Sequence, residues 1–421
     1  MASVAWQADR VRSATTTIFA EMSALALATQ SINLGQGFPD TDGPDFMLDE
    51  ARAAIAGGIN QYPPGRGIRP LREAIAEHSR RRYGLSYDPD SEVLVTTGAT
   101  EALAAAVLAF VNPGEEVIAL EPFYDSYAAS IDLAGGRRVG VGLFGPDFRL
   151  DHAELAAAFS ERTKALLINS PHNPTGVVLD RSDLTEIARL ATLHDVLVIC
   201  DEVYEHLVFD DAEHLPLAGF PGMRSRTLRI SSAGKTFSAT GWKIGWVLGP
   251  PELVTAVTAV KQFLTYVSGA PFQPAVARAL NEGDEWVARS RAQLQNKRDR
   301  LAAGLRTVGL EPHIPRGTYF MTTDVRPLGY ADGVEFCRDL PERCGVVAIP
   351  HQVFYDRVEA GRPYVRWAFC KADDVLDEAI TRLGRLNEAR DLALIDARGT
   401  TPLNPRESAL GEMTHPLGRE G

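Results

Sequence analysis

Between residues 92 and 249 the chain alternates short apolar runs with amphipathic segments, and this alternation limits the possible folds more than any other feature. EVLVT (92–96), EVIAL (116–120), RRVGVGL (137–143), KALLINS (164–170), VLVICDE (196–202), TLRIS (227–231) and GWVLG (245–249) are rich in Val, Ile and Leu. Runs this short and this apolar read as strands buried on both faces. ATEALAAAVLAFV (99–111), LDHAELAAAF (150–159) and RSDLTEIARLATLHD (181–195) fall between them with helical spacing. Strands alternating with helices predict an α/β fold, a mostly parallel seven-stranded sheet covered by helices on both faces.

The texture changes near residue 284. WVARSRAQLQNKRDRLAAGLRTVG (286–309) predicts a long amphipathic helix, followed by strands YFMTTDV and YVRWAFCK and a last helix in DDVLDEAITRLGRLNEAR. That predicts a smaller α+β domain over 297–390 beside a large domain over 45–296, with 1–44 joining the small one. The stretch 391–421, which includes Pro402, Pro405 and Pro416, is expected to be a disordered tail. Lys and Arg number 43 against 55 Asp and Glu, a net charge of −12. That balance gives no electrostatic reason to bind nucleic acid or an anionic membrane. Four cysteines in 421 residues are too few for a disulfide scaffold. No apolar run follows the charged start and none approaches a membrane span, so a cytoplasmic protein is expected.

The most informative stretch is ISSAGKTFSATGWKIGW (230–246). Lys235 follows a strand and small residues, and a second cation, Lys243, stands eight positions on. AGKT resembles half of a phosphate-cradling G-x-x-x-x-G-K-[ST] loop, but Arg229 occupies the first glycine position. Ser232-Ala-Gly-Lys235 fits S-x-x-K of serine acyl-enzymes, yet neither S-D-N nor K-T-G follows. A third reading is a Schiff-base lysine for pyridoxal phosphate. That cofactor needs an amine for its aldehyde, an anion site for its phosphate, a carboxylate on its ring nitrogen and a flat partner for its ring.

Several distant segments meet those needs together. SSAGK, SPHNPTG (170–176), DEVYEHLVFD (201–210), TTGATEA (96–102) and EPFYDSY (121–127) resemble the class I/II aminotransferases of pyridoxal phosphate fold type I. The likeness runs from NLGQGFP (33–39) to YVRWAFCK (364–371), and is greatest to the kynurenine, glutamine and methionine aminotransferase branch. It implies that Lys235 forms the Schiff base and then carries a proton between substrate Cα and the cofactor's C4′. Asp201 would pair with the ring nitrogen, and Tyr204 and Asn173 would hydrogen-bond the ring's phenolic oxygen. Gly98, Ala99, Thr100, Ser232 and Lys243 would hold the phosphate, with Lys243 where many relatives carry arginine. Lysine there keeps the charge without the bidentate fork. Tyr124 would stack on the ring. Tyr62, in NQYPPGRG, would reach the phosphate of the other subunit, which implies a homodimer with shared sites.

Arg366, in YVRWAFCK, would clamp the substrate α-carboxylate, because its planar fork matches two carboxylate oxygens. Gly37 would let the backbone approach the same carboxylate. Phe19 and Tyr266 would line the side-chain pocket. KQFLTYVSGAPFQPAVAR (261–278) has no Arg between Lys261 and Arg278 to receive a short side-chain carboxylate, so aspartate is expected to be a poor donor. EPFYDSY, DEVYEHLVFD and HLPLAGFPGM look most like the N-succinyldiaminopimelate aminotransferases of lysine biosynthesis, with 2-oxoglutarate as acceptor. Arg66 of the partner subunit would meet the succinyl carboxylate. The alternatives are a kynurenine, methionine, glutamine or aromatic aminotransferase, or a cysteine-S-conjugate β-lyase. A ligand sensor on the same fold is disfavoured by the acidic charge and the lack of a DNA-binding unit. His172, Cys200 and His206 are expected to be structural, and no metal is expected.

Overall fold

The computed structural model describes residues 17–387 together with Ala8 and Arg10; the stretch 391–421 lies outside the described residues. Seven strands form the main sheet: β1 (Val93–Thr97), β2 (Glu116–Glu121), β3 (Arg137–Phe144), β4 (Thr163–Asn169), β5 (Leu197–Asp201), β6 (Thr227–Ser232) and β7 (Ile244–Leu248). Their order is β1-β7-β6-β5-β4-β2-β3, and a two-residue strand, Arg149–Leu150, extends the β3 edge. β7 runs antiparallel to β1 and β6; the pairings among β6, β5, β4, β2 and β3 are all parallel.

The apolar runs form strands here because both faces are covered. Leu166 and Ile168 of β4 point into one core with Ile118, Leu120 and Val198, while Ala165 and Leu167 point into the other with Val117, Ala119 and Ile199. Successive strand residues face opposite sides, so a strand between two helical layers is apolar throughout. Helix α1 (Gly98–Phe110) packs its Ala102, Leu103, Ala106 and Val107 into the second of these cores.

A smaller antiparallel sheet carries β8 (Phe320–Asp324) and β9 (Tyr364–Ala368), with Thr322 opposite Arg366. Its core joins Leu301, Leu305, Phe336 and Trp367 to Met22, Ala26 and Leu34 of the N-terminal segment. Leu34 also bridges by backbone: its N–H donates to Val347 and its carbonyl accepts from Ala368. Helix α2 (Asp284–Thr307) crosses position 296 without a break. Its Val287 packs with the large unit and its Leu301 and Leu305 with the small one. Among the described residues no helix is long and apolar enough to cross a membrane.

Candidate active site

In parallel α/β sheets, ligands bind beyond the carboxyl ends of the strands. Here β1 ends at Thr97, β4 at Asn169, β5 at Asp201 and β6 at Ser232. A cavity of about 500 Å³ opens at these ends. It is lined by Lys235, Asp201, Tyr204, Asn173, Tyr124, Gly98, Ala99, Thr100, Ser232, Lys243, Phe19, Gly37 and Arg366. Residues from the two units and the N-terminal segment thus meet in one place.

Lys235 sits in the short helix Ala233–Thr236 that follows β6. Burial, more than the neighbouring cations Arg366 and Lys243, lowers its proton affinity, to a pKa of about 8. Its amine donates to the Tyr319 hydroxyl at 3.1 Å. Asp201 is buried at the tip of β5, and burial raises its pKa to about 6. Two donors oppose that shift: the Tyr127 hydroxyl at 2.6 Å on Oδ2 and the Val203 N–H at 3.2 Å on Oδ1. Tyr124 precedes helix Asp125–Leu133, so Tyr124 and Tyr127 stand edge to face, 5.8 Å apart, at its start.

The anion end of the cavity is built from the N-terminus of α1. Gly98 has φ +71°, and Lys243 lies so close that a Cβ on Gly98 would sit 3.3 Å from its Nζ. A Cβ on Gly245 of β7 would sit 2.8 Å from the Ala99 nitrogen. The two glycines therefore bring strand, lysine and unpaired helix N–H groups together, the arrangement an anion requires.

Arg366 is buried on the central strand of the small sheet. Its guanidinium lies 4.0 Å from the Phe320 ring centre, with Phe19 and Phe354 at 5.2 and 5.3 Å. Among the described residues its two hydrogen bonds go to neutral oxygens, Asn173 Oδ1 at 3.0 Å and the Gly35 carbonyl at 2.7 Å, while Nε is buried without a partner. A buried cation without an anion is costly, and burial lowers its pKa to about 10. Because Asn173 Oδ1 already accepts from Arg366, its amide NH₂ keeps its donors for the cavity.

Tyr62 and Tyr266 are not brought to this cavity. They stand together on the surface, ring centres 5.7 Å apart, 82% and 49% exposed. Their side chains are available to another subunit and not to this chain's own site. His172 is buried and bonded to Thr175 at 2.7 Å, and His206 and Cys200 are also buried. None of the three lines the cavity. Sequence reasoning missed Tyr127, Tyr319 and Asn169, whose Oδ1 accepts from the Asn173 N–H at 2.7 Å. The Tyr-x-x-Tyr spacing at a helix start was a usable signal for Tyr127; Tyr319 had none.

The residues fit pyridoxal phosphate. A poorly basic half-buried amine, a buried carboxylate, a glycine-lined helix N-terminus with a cation, and an aromatic ring share one cavity. Each supplies one of that cofactor's needs.

Comparison with known proteins agrees. The family model for aminotransferase class I and II matches residues 29–383. The chain is 57% identical over 390 residues to the probable N-succinyldiaminopimelate aminotransferase DapC of Mycobacterium tuberculosis, covering 90% of this chain and 98% of that one. It is 41% identical over 375 residues to the methionine aminotransferase of Escherichia coli, covering 88% and 96%. The solved structure of N-succinyldiaminopimelate aminotransferase from Mycobacterium tuberculosis superimposes with a TM-score of 0.89 at 58% identity, covering 90% of this chain and all of that one.

Proposed function

Because this chain belongs to the class I and II aminotransferases, and so is a pyridoxal-phosphate-dependent transaminase acting on an amino acid and a 2-oxo acid, we propose that Lys235 is its catalytic lysine and N-succinyl-LL-2,6-diaminopimelate its amino donor. 2-Oxoglutarate is the proposed acceptor. The observation that carries the site assignment is the meeting of three groups on one cavity: the half-buried Lys235 amine, the buried Asp201 carboxylate and the buried Arg366 guanidinium. The 57% identity to the Mycobacterium tuberculosis protein supports the choice of donor.

The bound cofactor supplies an electron sink for the electrons left at Cα when its proton departs. Arg366 receives the donor's α-carboxylate by its fork, with Gly37 beside it, which fixes the orientation of Cα. Lys235, half-neutral near pH 8, takes and returns the Cα proton. Asp201 holds the ring nitrogen's proton, and Tyr204 and Asn173 hold the ring's oxygen. Gly98, Ala99, Thr100, Ser232 and Lys243 hold the phosphate, and Tyr124 faces the ring. The same lysine would serve β-elimination, so transfer is distinguished by its dependence on an acceptor.

The donor assignment is tested by kcat/KM with 2-oxoglutarate as acceptor. N-Succinyl-LL-2,6-diaminopimelate is expected to lead, ahead of methionine, kynurenine, phenylalanine and glutamine. Aspartate is expected at least roughly a hundredfold lower, since its side-chain carboxylate would be desolvated without a cation. Aspartate as the best donor would refute the pocket reading. Methionine or kynurenine ahead by orders of magnitude would refute the succinylated donor and leave the site intact.

We further propose a homodimer in which Tyr62 and Tyr266 complete the neighbour's site. Their joint exposure outside their own cavity supports this. Mixing Lys235→Ala with Tyr62→Phe protein under subunit exchange should restore activity, because some heterodimers then carry one intact site. Demonstrated exchange without recovery would count against shared sites. Four buried, unpaired cysteines support a reducing, cytoplasmic setting.

A further inference from the structure

We propose that Tyr319 is a positioning residue for the Lys235 amine, tying it through one phenol oxygen to the Gly37 peptide. The proposal rests on the assignment of Lys235 as the lysine that captures the cofactor. Tyr319 immediately precedes β8, is 1% exposed and meets Tyr204 edge to face at 5.3 Å. Its hydroxyl donates to the Gly37 carbonyl at 2.6 Å and accepts from Lys235 Nζ at 3.1 Å. Among the described residues this is the only hydrogen bond Lys235 Nζ makes.

A phenol has one proton to donate. That proton is committed to Gly37, so the oxygen meets Lys235 purely as an acceptor. The amine must therefore turn an N–H toward Tyr319, and when neutral it keeps its lone pair for other directions, the cavity among them. A base that takes a proton from Cα needs that orientation. Burial raises the proton affinity of Tyr319 well above the usual phenol range, so it stays an uncharged donor. The Cys370 thiol, pushed up to about 11, stays neutral as well.

The other end of the link is equally constrained. A Cβ on Gly37 would fall 2.2 Å from Phe320 Cζ and 3.1 Å from Tyr319 Cε2. The Gly37 backbone thus packs directly against these two rings. Gly37 also lies beside the proposed seat of the donor's carboxylate, which Arg366 holds, so the link sets the lysine without bearing the donor.

The test starts from cofactor-free protein mixed with pyridoxal phosphate, with covalent capture followed by absorbance from pH 6 to 10. Wild type is compared with Tyr319→Phe, with Lys235→Ala as the no-capture control, and with protein carrying 3-fluorotyrosine at 319, which keeps the size but weakens the acceptor. Tyr319→Phe is expected to capture about tenfold more slowly and to lose about tenfold in kcat, with donor KM changed less than twofold. The fluorinated protein is expected to capture at an intermediate rate with an unchanged melting temperature. Wild-type capture and kcat in Tyr319→Phe would overturn the role of Tyr319 and leave Lys235 standing. Should Tyr319→Phe fail to fold, a wild-type capture rate in the fluorinated protein would overturn it instead. A wild-type spectrum indistinguishable from Lys235→Ala would refute the lysine assignment itself.

Discussion

Lys235→Ala is expected to bind pyridoxal phosphate and yet lose at least about 10⁴-fold in transfer rate. General acid–base catalysis by one positioned group contributes up to about 10⁴-fold. Lys235 is assigned both the covalent hold on the cofactor and the proton at Cα, so nothing in the cavity replaces it. Tyr204 and Tyr319, whose ring centres each lie 5.7 Å from the Lys235 amine, are both held neutral by burial, which raises their proton affinity. Neither can act as a base near pH 8. The cofactor contacts assigned to Asp201, Asn173 and the N-terminus of α1 do not involve the Lys235 amine, so binding should survive. Removing a half-buried amine whose proton affinity is lowered by desolvation also removes an unfavourable desolvation, and the variant should fold. Single-turnover conversion of a donor to its 2-oxo acid measures the loss. A wild-type rate in protein shown to be free of host transaminase would refute the assignment.

Strand positions were legible because burial on both faces leaves an unmistakable composition. VIAL (117–120) and ALLI (165–168) are apolar at every residue because β2 and β4 lie between two cores. Strand direction left no comparable mark. β7 is as apolar as β6, and only the connection tells them apart: Ser232 and Ile244 are separated by the short lysine-bearing helix, too little chain for a helical crossover. The site was legible where chemistry and a turn coincide. Asp201 ends a strand and Lys235 and Asn173 closely follow one, where a polar residue inside a motif departs from the apolar pattern. Tyr127 and Tyr319 were hidden because their rings belong to the core and only their hydroxyls reach the site. From sequence, such a residue reads as packing. Arg366 reads as the outward residue of an alternating strand, yet the aromatic rings of Phe19, Phe320 and Phe354 enclose it from segments far apart in the chain.

Asp201→Asn should separate stability from catalysis. Burial holds the Asp201 carboxyl at about 6 in the folded chain, against about 3.9 for a free aspartate. The folded cofactor-free protein therefore binds this proton more tightly than the unfolded chain does. Its ionised form costs stability, fully so above pH 6, and the cost fades as pH falls through 6 toward 4. Asparagine keeps its Oδ1 as acceptor for the Val203 N–H, turns its NH₂ as donor to the Tyr127 oxygen, and carries no charge. Cofactor-free Asp201→Asn is thus expected to be more stable than wild type by roughly 2 kcal/mol at pH 8, with the gap shrinking toward pH 4. Catalysis should move the other way. The carboxylate is assigned to hold a proton on the cofactor's ring nitrogen, and a neutral amide cannot. Losing one preorganised electrostatic contact of this kind costs roughly 10²–10³-fold in kcat, and cofactor affinity should fall as well. Denaturant unfolding of the cofactor-free proteins at pH 8 and pH 5, beside single-turnover rates of the loaded ones, measures both halves. A kcat within a few-fold of wild type would remove Asp201 from the ring nitrogen. Equal stabilities at pH 8 would mean that Tyr127 and Val203 already offset the burial of the charge.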